Sequence, residues 1–421
     1  MSKERKTLAV AKALAVKISE STKERGITLY NFLNQCMLQA IRAENELNTD
    51  LSNIIEKIES FELAKKLGFV LAPSNLFYSA LSGVEDYIEE FQNKFYEFGK
   101  WMIRYCEAKY PSINERIDIL IKFAKNAFWR DIEVKFRLND DYTHQLNVIK
   151  KNMDFPDAFL NYYSQTFIAI FEHLGFKKTS QTFETSHINI SFEPKTKELL
   201  NIIKMRMTEP SNFFEPGEDD HSIDRKTLAV DKEIAETLLE ISKKRNMTLF
   251  NYVNEHVLKN CISIEENFDQ SIEDIVSEYV LFQVVKEIDM ILVPASIYFE
   301  CVKIKLFKDK NWVNKWYEEG VKDANLVKIQ FSSFPVEEYK SLLNYVYFAD
   351  ITGFKIELTE DSEELNFRLI GTMIDEDLMG CLARYYEGLF NVYGWTLDED
   401  KKIVSLGVCS LKFAKPDTSK K

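Results

Sequence analysis

Arg5-Lys6-Thr7-Leu8-Ala9-Val10 recurs letter for letter as Arg225-Lys226-Thr227-Leu228-Ala229-Val230, an offset of 220 residues. Repetition has to be established before any single element is read, because it sets the architecture of the whole chain. The register continues: Lys12 matches Lys232, Ala15 Ala235, Glu20 Glu240, Lys23 Lys243 and Arg25 Arg245. Thr28-Leu29-Tyr30-Asn31 is then answered by Thr248-Leu249-Phe250-Asn251, and Asn34 and Leu38 by Asn254 and Leu258. Farther on, Phe61, Leu71 and Pro73 correspond to Phe282, Leu292 and Pro294 at an offset of 221. Met153 with Met373, and Phe171 and Gly175 with Phe390 and Gly394, keep the offset between 219 and 220. The chain reads as an internal duplication of two halves of about 200 residues each.

The expected order is a short module at 1–45, a helical plus α+β segment at 46–207, a linker at 208–224, a second module at 225–265 and a second helical plus α+β segment at 266–421. The linker is marked by Glu209-Pro210-Ser211-Asn212 and Glu215-Pro216-Gly217-Glu218-Asp219-Asp220, a Pro/Gly/acidic stretch.

Each module opens with a strand pattern at 6–10 or 226–230, in which Leu8 and Val10 share one face and Thr7 and Ala9 the other. A helix follows, carried by Leu14, Ile18 and Ser21 or by Ile234, Leu238 and Ile241 at spacings of four and three. In the second copy Asp231 is the expected N-cap. Gly26 and Asn246 tolerate the left-handed conformation that closes a helix. Thr28 and Thr248 should then cap a second helix through Tyr30, Leu33, Met37 and Ile41, or through Phe250, Val253, Val257 and Cys261.

Beyond the module, 51–66 and 91–105 read as helices. The last third reads αββαββ: a helix at 113–128, strands at 132–138 and 146–153, a helix at 158–174, and strands at 176–183 and 188–192. A single strand is expected at 404–413 in the second half. Strands segregated against helices give an α+β fold class.

The strand, the amphipathic helix and the Gly26-Ile27-Thr28-Leu29-Tyr30-Asn31 entry to the second helix resemble the ribbon-helix-helix superfamily of DNA-binding proteins, to which the Arc and methionine repressors belong. In that superfamily two strands pair into an antiparallel ribbon that enters the major groove. The resemblance implies base-facing positions at Arg5, Thr7 and Ala9 and at Arg225, Thr227 and Ala229, with Lys6 and Lys226 beside them. It also implies backbone-phosphate contacts at Thr28, Asn31, Thr248 and Asn251, where a helix N-terminus favours an anion. Many members carry Arg, Lys, Asn or Gln where this chain has Ala9 and Ala229, so the centre of its ribbon offers methyl groups rather than hydrogen-bond donors. Two modules in one chain would build the pair as an intramolecular pseudo-dimer and could read an asymmetric site, although a homodimer also fits. A module joined to a larger α+β domain is similar in plan to nickel-responsive repressors, in which the added domain senses an effector. This chain lacks their His-and-Cys ligand set.

The 421 residues carry a net charge of −13, with 45% hydrophobic residues and only 13 Gly and 9 Pro, a composition that excludes disordered and collagen-like proteins. Residues 1–43 have a net charge of +5 and residues 224–262 of +1, leaving −19 on the remainder. Cationic modules on an acidic body suit an oriented DNA binder. No apolar run reaches the roughly 18 residues of a membrane span, and the N-terminal residues lack the apolar stretch of a secretory signal. The expectation is a cytoplasmic protein without a membrane segment.

The six cysteines, Cys36, Cys106, Cys261, Cys301, Cys381 and Cys409, form no CxxC pair and read as buried thiols. His144, His173, His187, His221 and His256 have no counterpart His in the other half, so no metal site is expected. The acid pairs Asp140-Asp141 and Glu360-Asp361 read as turns. Tyr162, Tyr163, Phe167 and Phe171 read as core. No nucleotide-binding glycine loop or hydrolase motif is present, so neither a cofactor nor enzymatic activity is expected. The function these features point to is a DNA-binding transcriptional regulator whose partner is double-stranded DNA, with a small-molecule effector in the α+β units. The rivals are an assembly scaffold whose ribbon only dimerises, and a small-molecule sensor in the α+β domains.

Overall fold

A computed structural model describes residues 4–127, 132–139, 143–152, 154–208, 224–268, 270–330, 336–347, 354–361, 363–371 and 374–415. Most of the linker at 208–224, together with Asp140, Asp141, Met153, Met373 and His221, lies outside the described residues.

The first half contains β1 (Arg5–Ala11), α1 (Lys12–Glu24), α2 (Leu29–Asn45), α3 (Leu51–Lys66), β2 (Phe69–Pro73), α4 (Ser74–Leu81), α5 (Ile88–Lys109), α6 (Ile113–Ala127), β3 (Ile132–Leu138), β4 (His144–Lys150), α7 (Asp157–His173), β5 (Phe176–Glu184), β6 (His187–Pro194) and α8 (Lys197–Thr208). The second contains β7 (Arg225–Asp231), α9 (Lys232–Lys244), α10 (Leu249–Asn251), a π-helical segment (Tyr252–Leu258), α11 (Lys259–Asn267), α12 (Ile272–Glu287), β8 (Met290–Pro294), α13 (Ala295–Lys308), α14 (Val313–Gln330) and α15 (Val336–Tyr347). It ends with β9 (Lys355–Glu360), β10 (Glu364–Ile370), α16 (Glu376–Val392), β11 (Thr396–Leu397), β12 (Ile403–Ser405) and β13 (Val408–Ala414). Mixed helices and small antiparallel sheets make the fold α+β.

The chain forms two compact units, and each draws on both halves of the sequence: Met1–Glu59 with Pro210–Phe282, and Ser60–Glu209 with Gln283–Lys421. In the first unit β1 pairs antiparallel with β7, centred on Leu8 opposite Leu228. Leu8, Val10, Leu228 and Val230 are at most 5% exposed. Burying each contributes about 1.5 to 3 kcal/mol. Period-two alternation leaves Thr7 and Thr227 exposed on the opposite face.

Local signals act as the sequence predicts at the inter-helix turn. Gly26 and Asn246 take φ of 67° and 54°. Thr28 Oγ1 accepts from the Asn31 N–H at 3.2 Å, and Thr248 Oγ1 from that of Asn251 at 3.1 Å. The expected Asp231 cap is absent, because this carboxylate accepts instead from the Tyr30 hydroxyl.

The continuous register read from Asn34 and Leu38 to Asn254 and Leu258 also needs correction. Buried positions Phe32, Leu33 and Asn34 match Tyr252, Val253 and Asn254 at an offset of 220, whereas Cys36, Met37, Ala40 and Ala43 match Val257, Leu258, Cys261 and Ile264 at 221. The extra residue falls inside the π-helical segment, whose wider turn absorbs one residue without rotating the apolar face away from the core.

In the second unit β2 pairs antiparallel with β8, Leu71 opposite Leu292, and every residue of both strands is buried. Such a strand shows no alternation, so the sequence pattern does not announce it. β3, β4, β6 and β5 form one antiparallel sheet in that order, and β11, β13, β10 and β9 another, with β12 paired to β13. The single strand expected at 404–413 is a hairpin, β12–β13, turning at Gly407 with φ of 71°. Asp361 accepts the Glu363 and Glu364 N–H groups at 2.9 and 2.7 Å, which makes the Glu360-Asp361 pair a turn and lowers the Asp361 carboxyl below its ordinary range. Tyr162, Tyr163, Phe167 and Phe171 on α7 are buried among Phe91, Phe95, Phe136 and Phe192, as core residues.

Two helix pairs in this unit, α5 with α7 and α14 with α16, approach backbone to backbone. A Cβ at Gly99 would stand 2.3 Å from the Thr166 carbonyl oxygen, one at Gly320 2.0 Å from that of Tyr385, and one at Gly388 2.2 Å from that of Tyr317. In a free helix Gly→Ala stabilises by up to about 1 kcal/mol. Here the clash outweighs it, since separating packed helices costs about 1 to 3 kcal/mol or more. Gly320→Ala is therefore expected to lower stability, by up to about 2 kcal/mol net in urea unfolding, whereas Gly380→Ala, with open space around its Cβ, should be neutral or stabilising.

Candidate nucleic-acid interface

The outer face of the ribbon carries Arg5, Thr7, Ala9 and Ala11 on β1 and Arg225, Thr227, Ala229 and Asp231 on β7. The register sets Thr7 opposite Ala229, Ala9 opposite Thr227, Arg5 opposite Asp231 and Ala11 opposite Arg225. Its centre is thus small and uncharged, and an arginine stands at each of two diagonally opposed corners. Arg5 lies over the Tyr30 ring and Arg225 over the Phe250 ring, both with the guanidinium carbon 4.4 Å from the ring centroid. Stacking on a ring restricts the guanidinium and fixes where it is presented.

Lys6 and Lys226 have the strand parity of Leu8 and Val10, not that of the outer face. The Lys6 ammonium bonds Glu236 of α9 at 2.7 Å, and this pairing lowers the Glu236 carboxyl below its ordinary range. At the position equivalent to Glu236 the first copy has Val16, 47% exposed, so Lys226 has no matching acid there. Lys12 pairs with Asp224 at 2.8 Å and Lys232 with Glu4 at 2.6 Å. Beside these contacts the Lys12 N–H donates to the Asp224 carbonyl and the Lys232 N–H to that of Glu4, extending the ladder at both ends.

The two copies interlock through buried asparagines. Asn34 Oδ1 accepts from the Asp231 N–H at 2.9 Å and Asn254 Oδ1 from the Ala11 N–H at 2.8 Å, so each second helix satisfies the last amide of the other copy's strand. Each Nδ2 donates back to its own helix, to the Tyr30 and Phe250 carbonyls. Arg25 reaches Glu265 at 2.6 Å, and Arg245 reaches Glu44 at 2.8 Å and Asp50 at 3.2 Å. Asn31 and Asn251 sit in the first turns of their helices with exposed side chains. The ends of the ribbon differ: the Tyr30 hydroxyl meets Asp231 at one, while Phe250 and Ala11 occupy the equivalent places at the other.

The structure thus gathers Arg5, Thr7, Ala9, Arg225, Thr227 and Ala229 on one face. Thr28 and Thr248 serve as helix caps, with Asn31 and Asn251 beside them. Lys6 and Lys226 belong to the other strand face. The side chains of Asn34 and Asn254 have strand amides as partners. All six cysteines are buried and free. Among the described residues no helix is long and apolar enough to cross a membrane. No protein family, curated protein or solved structure matches this chain.

Asn34→Ala or Asn254→Ala strands a buried amide, so each variant should lose about 1 to 3 kcal/mol in urea unfolding. Asn31→Ala and Asn251→Ala should change stability by less than about 0.5 kcal/mol.

Proposed function

We propose that the chain binds double-stranded DNA through the outer face of the β1–β7 ribbon, in the manner of ribbon-helix-helix proteins, and acts as a transcriptional regulator. The observation that carries this proposal is the exposed antiparallel ribbon itself, assembled from segments 220 residues apart and backed by helices whose capped N-termini belong to both copies. A two-stranded ribbon fits the major groove. Arg5 and Arg225, held on aromatic rings at diagonal corners, are suited to meet phosphates or guanine edges on either side of a central contact made by Thr7, Ala9, Thr227 and Ala229. The N-terminal amides after Thr28 and Thr248 supply anion sites. The repeat is read as a duplication that puts both members of the pair in one chain, and the chemical difference between the ribbon's ends is consistent with recognition of a non-palindromic site.

A second function is favoured by a specific observation. The ribbon centre offers only Thr hydroxyls and Ala methyls, and Lys6 is engaged by Glu236, as suits a module that serves only to hold the halves together. Salt-titrated binding to random and promoter-derived duplexes separates the two. DNA binding predicts affinity that falls steeply between about 50 and 200 mM salt. It also predicts that Arg5→Ala/Arg225→Ala weakens binding and reduces the salt slope by about 2, one per lost phosphate contact, whereas Lys6→Ala has the smaller effect. An absence of binding by the wild-type chain at the low-salt end would assign the ribbon to assembly.

A further inference from the structure

In the second unit α14 and α16 enclose, with β2, β8, α13 and α15, a cavity of about 40 Å³ whose wall is almost wholly apolar. One lining residue is an acid. Asp323 is 1% exposed; one carboxyl oxygen accepts from the Tyr385 hydroxyl at 2.7 Å, and the other, Oδ1, is buried without a hydrogen-bond partner among the described residues. Burial, with the negative charge of Glu319 one turn away, pushes its carboxyl well above the ordinary range. The Lys322 ammonium, one residue before Asp323 on α14, is held by Glu319 at 2.8 Å and lies 3.6 Å from Asp289. The indole N–H of Trp316, another lining residue, is likewise buried without a partner among the described residues.

The first half of the chain shows that this polarity is not needed to build the helix pair. Gly99 against Thr166 and Gly320 against Tyr385 are the same close approach, and counting from these glycines places Phe95 where Trp316 stands and Met102 where Asp323 stands. Phe95 and Met102 are 0% and 2% exposed, both without a charge to bury. A buried acid with an unused acceptor costs free energy that a methionine does not.

We propose that this cavity is a ligand site for a small organic cation, an amine with a short apolar tail, whose ammonium is held by Asp323. Oδ1 supplies the acceptor that an ammonium needs, and the bound ammonium's own charge favours the ionised form of a carboxyl that burial otherwise keeps protonated. Trp316, Tyr298, Tyr339 and Tyr386 supply aromatic lining of the kind that attracts cations. No lining residue among those described is basic, so an anion finds no opposite charge there. The volume admits about three waters, at about 10 to 15 Å³ each, which selects a molecule of a few non-hydrogen atoms. The site stands independently of DNA binding, and either proposal can fail alone.

Isobutylamine, isobutanol and isobutyrate have matched tails and differ in the head group. Titrated at equal ionic strength into the full-length chain and followed by calorimetry and thermal melting, isobutylamine should bind and raise the melting temperature. Isobutanol should bind more weakly, and isobutyrate should give no shift. Asp323→Asn should weaken the amine by about tenfold or more, as expected for loss of one member of a buried charge pair, and Asp323→Met should abolish binding. Three results would overturn the site: no response to isobutylamine, an equal response to all three probes, or an amine affinity unchanged in Asp323→Asn. If the variants fail to fold, the three-probe comparison on the wild-type chain decides alone.

Discussion

The backbone pairing of β1 with β7 is the constraint on which the first unit depends. A lone strand leaves its N–H and C=O groups without partners when its apolar face is buried. Arg5–Ala11 and Arg225–Asp231 resolve this for each other, and the two strand-end amides left over are taken by Asn34 and Asn254 from the opposite copy. The same solution recurs in the second unit, where β2 and β8 pair around Leu71 and Leu292. Each two-stranded sheet is thus made from one strand of each half, and neither half can complete either unit by itself.

Positions that correspond in the sequence repeat carry different side chains, and within one polypeptide a change at one is not imposed on the other. The ribbon shows this in its Tyr30–Asp231 contact, matched by the apolar Phe250 and Ala11, and in Lys6–Glu236, matched by Lys226 and Val16. In the first case hydroxyl and carboxylate are replaced together; in the second the acid is replaced and the lysine kept. The α14–α16 pair shows it again where Trp316 and Asp323 replace Phe95 and Met102.

Features set by a residue's own conformational preference were readable in advance. Thr28 and Thr248 cap, Gly26 and Asn246 reverse the chain, and Leu8 and Val10 alternate inward, because each depends on neighbours within a few residues. Features set by distant partners were not. Asp231 has the composition of an N-cap but finds Tyr30 across the ribbon. Lys6 lies in a basic run yet belongs to the buried strand face. The β2 and β8 runs lack alternation because both faces are covered. The extra residue between Asn34–Asn254 and Cys36–Val257 is bracketed by identical letters, Asn34–Asn254 at an offset of 220 and Ile41–Ile262 and Glu44–Glu265 at 221, but Leu38–Leu258 at 220 masks it until burial sides with 221. Asp323 is one acid among many in an acidic chain, and its isolation depends on helices far apart in sequence. Of the candidate interface, the outer-face residues were legible from strand parity, while the sharing of Arg5 and Arg225 with aromatic rings required the fold.

Photocrosslinking from the ribbon to DNA tests the central claim most directly. A benzophenone side chain placed singly at Thr7 or Thr227, with Leu406 of the second unit as an exposed comparison site, 76% accessible, is irradiated with a bound duplex. DNA recognition by the ribbon predicts adducts from positions 7 and 227 and none from 406. Adducts confined to 406, or a duplex bound with no adduct from either ribbon position, would contradict it.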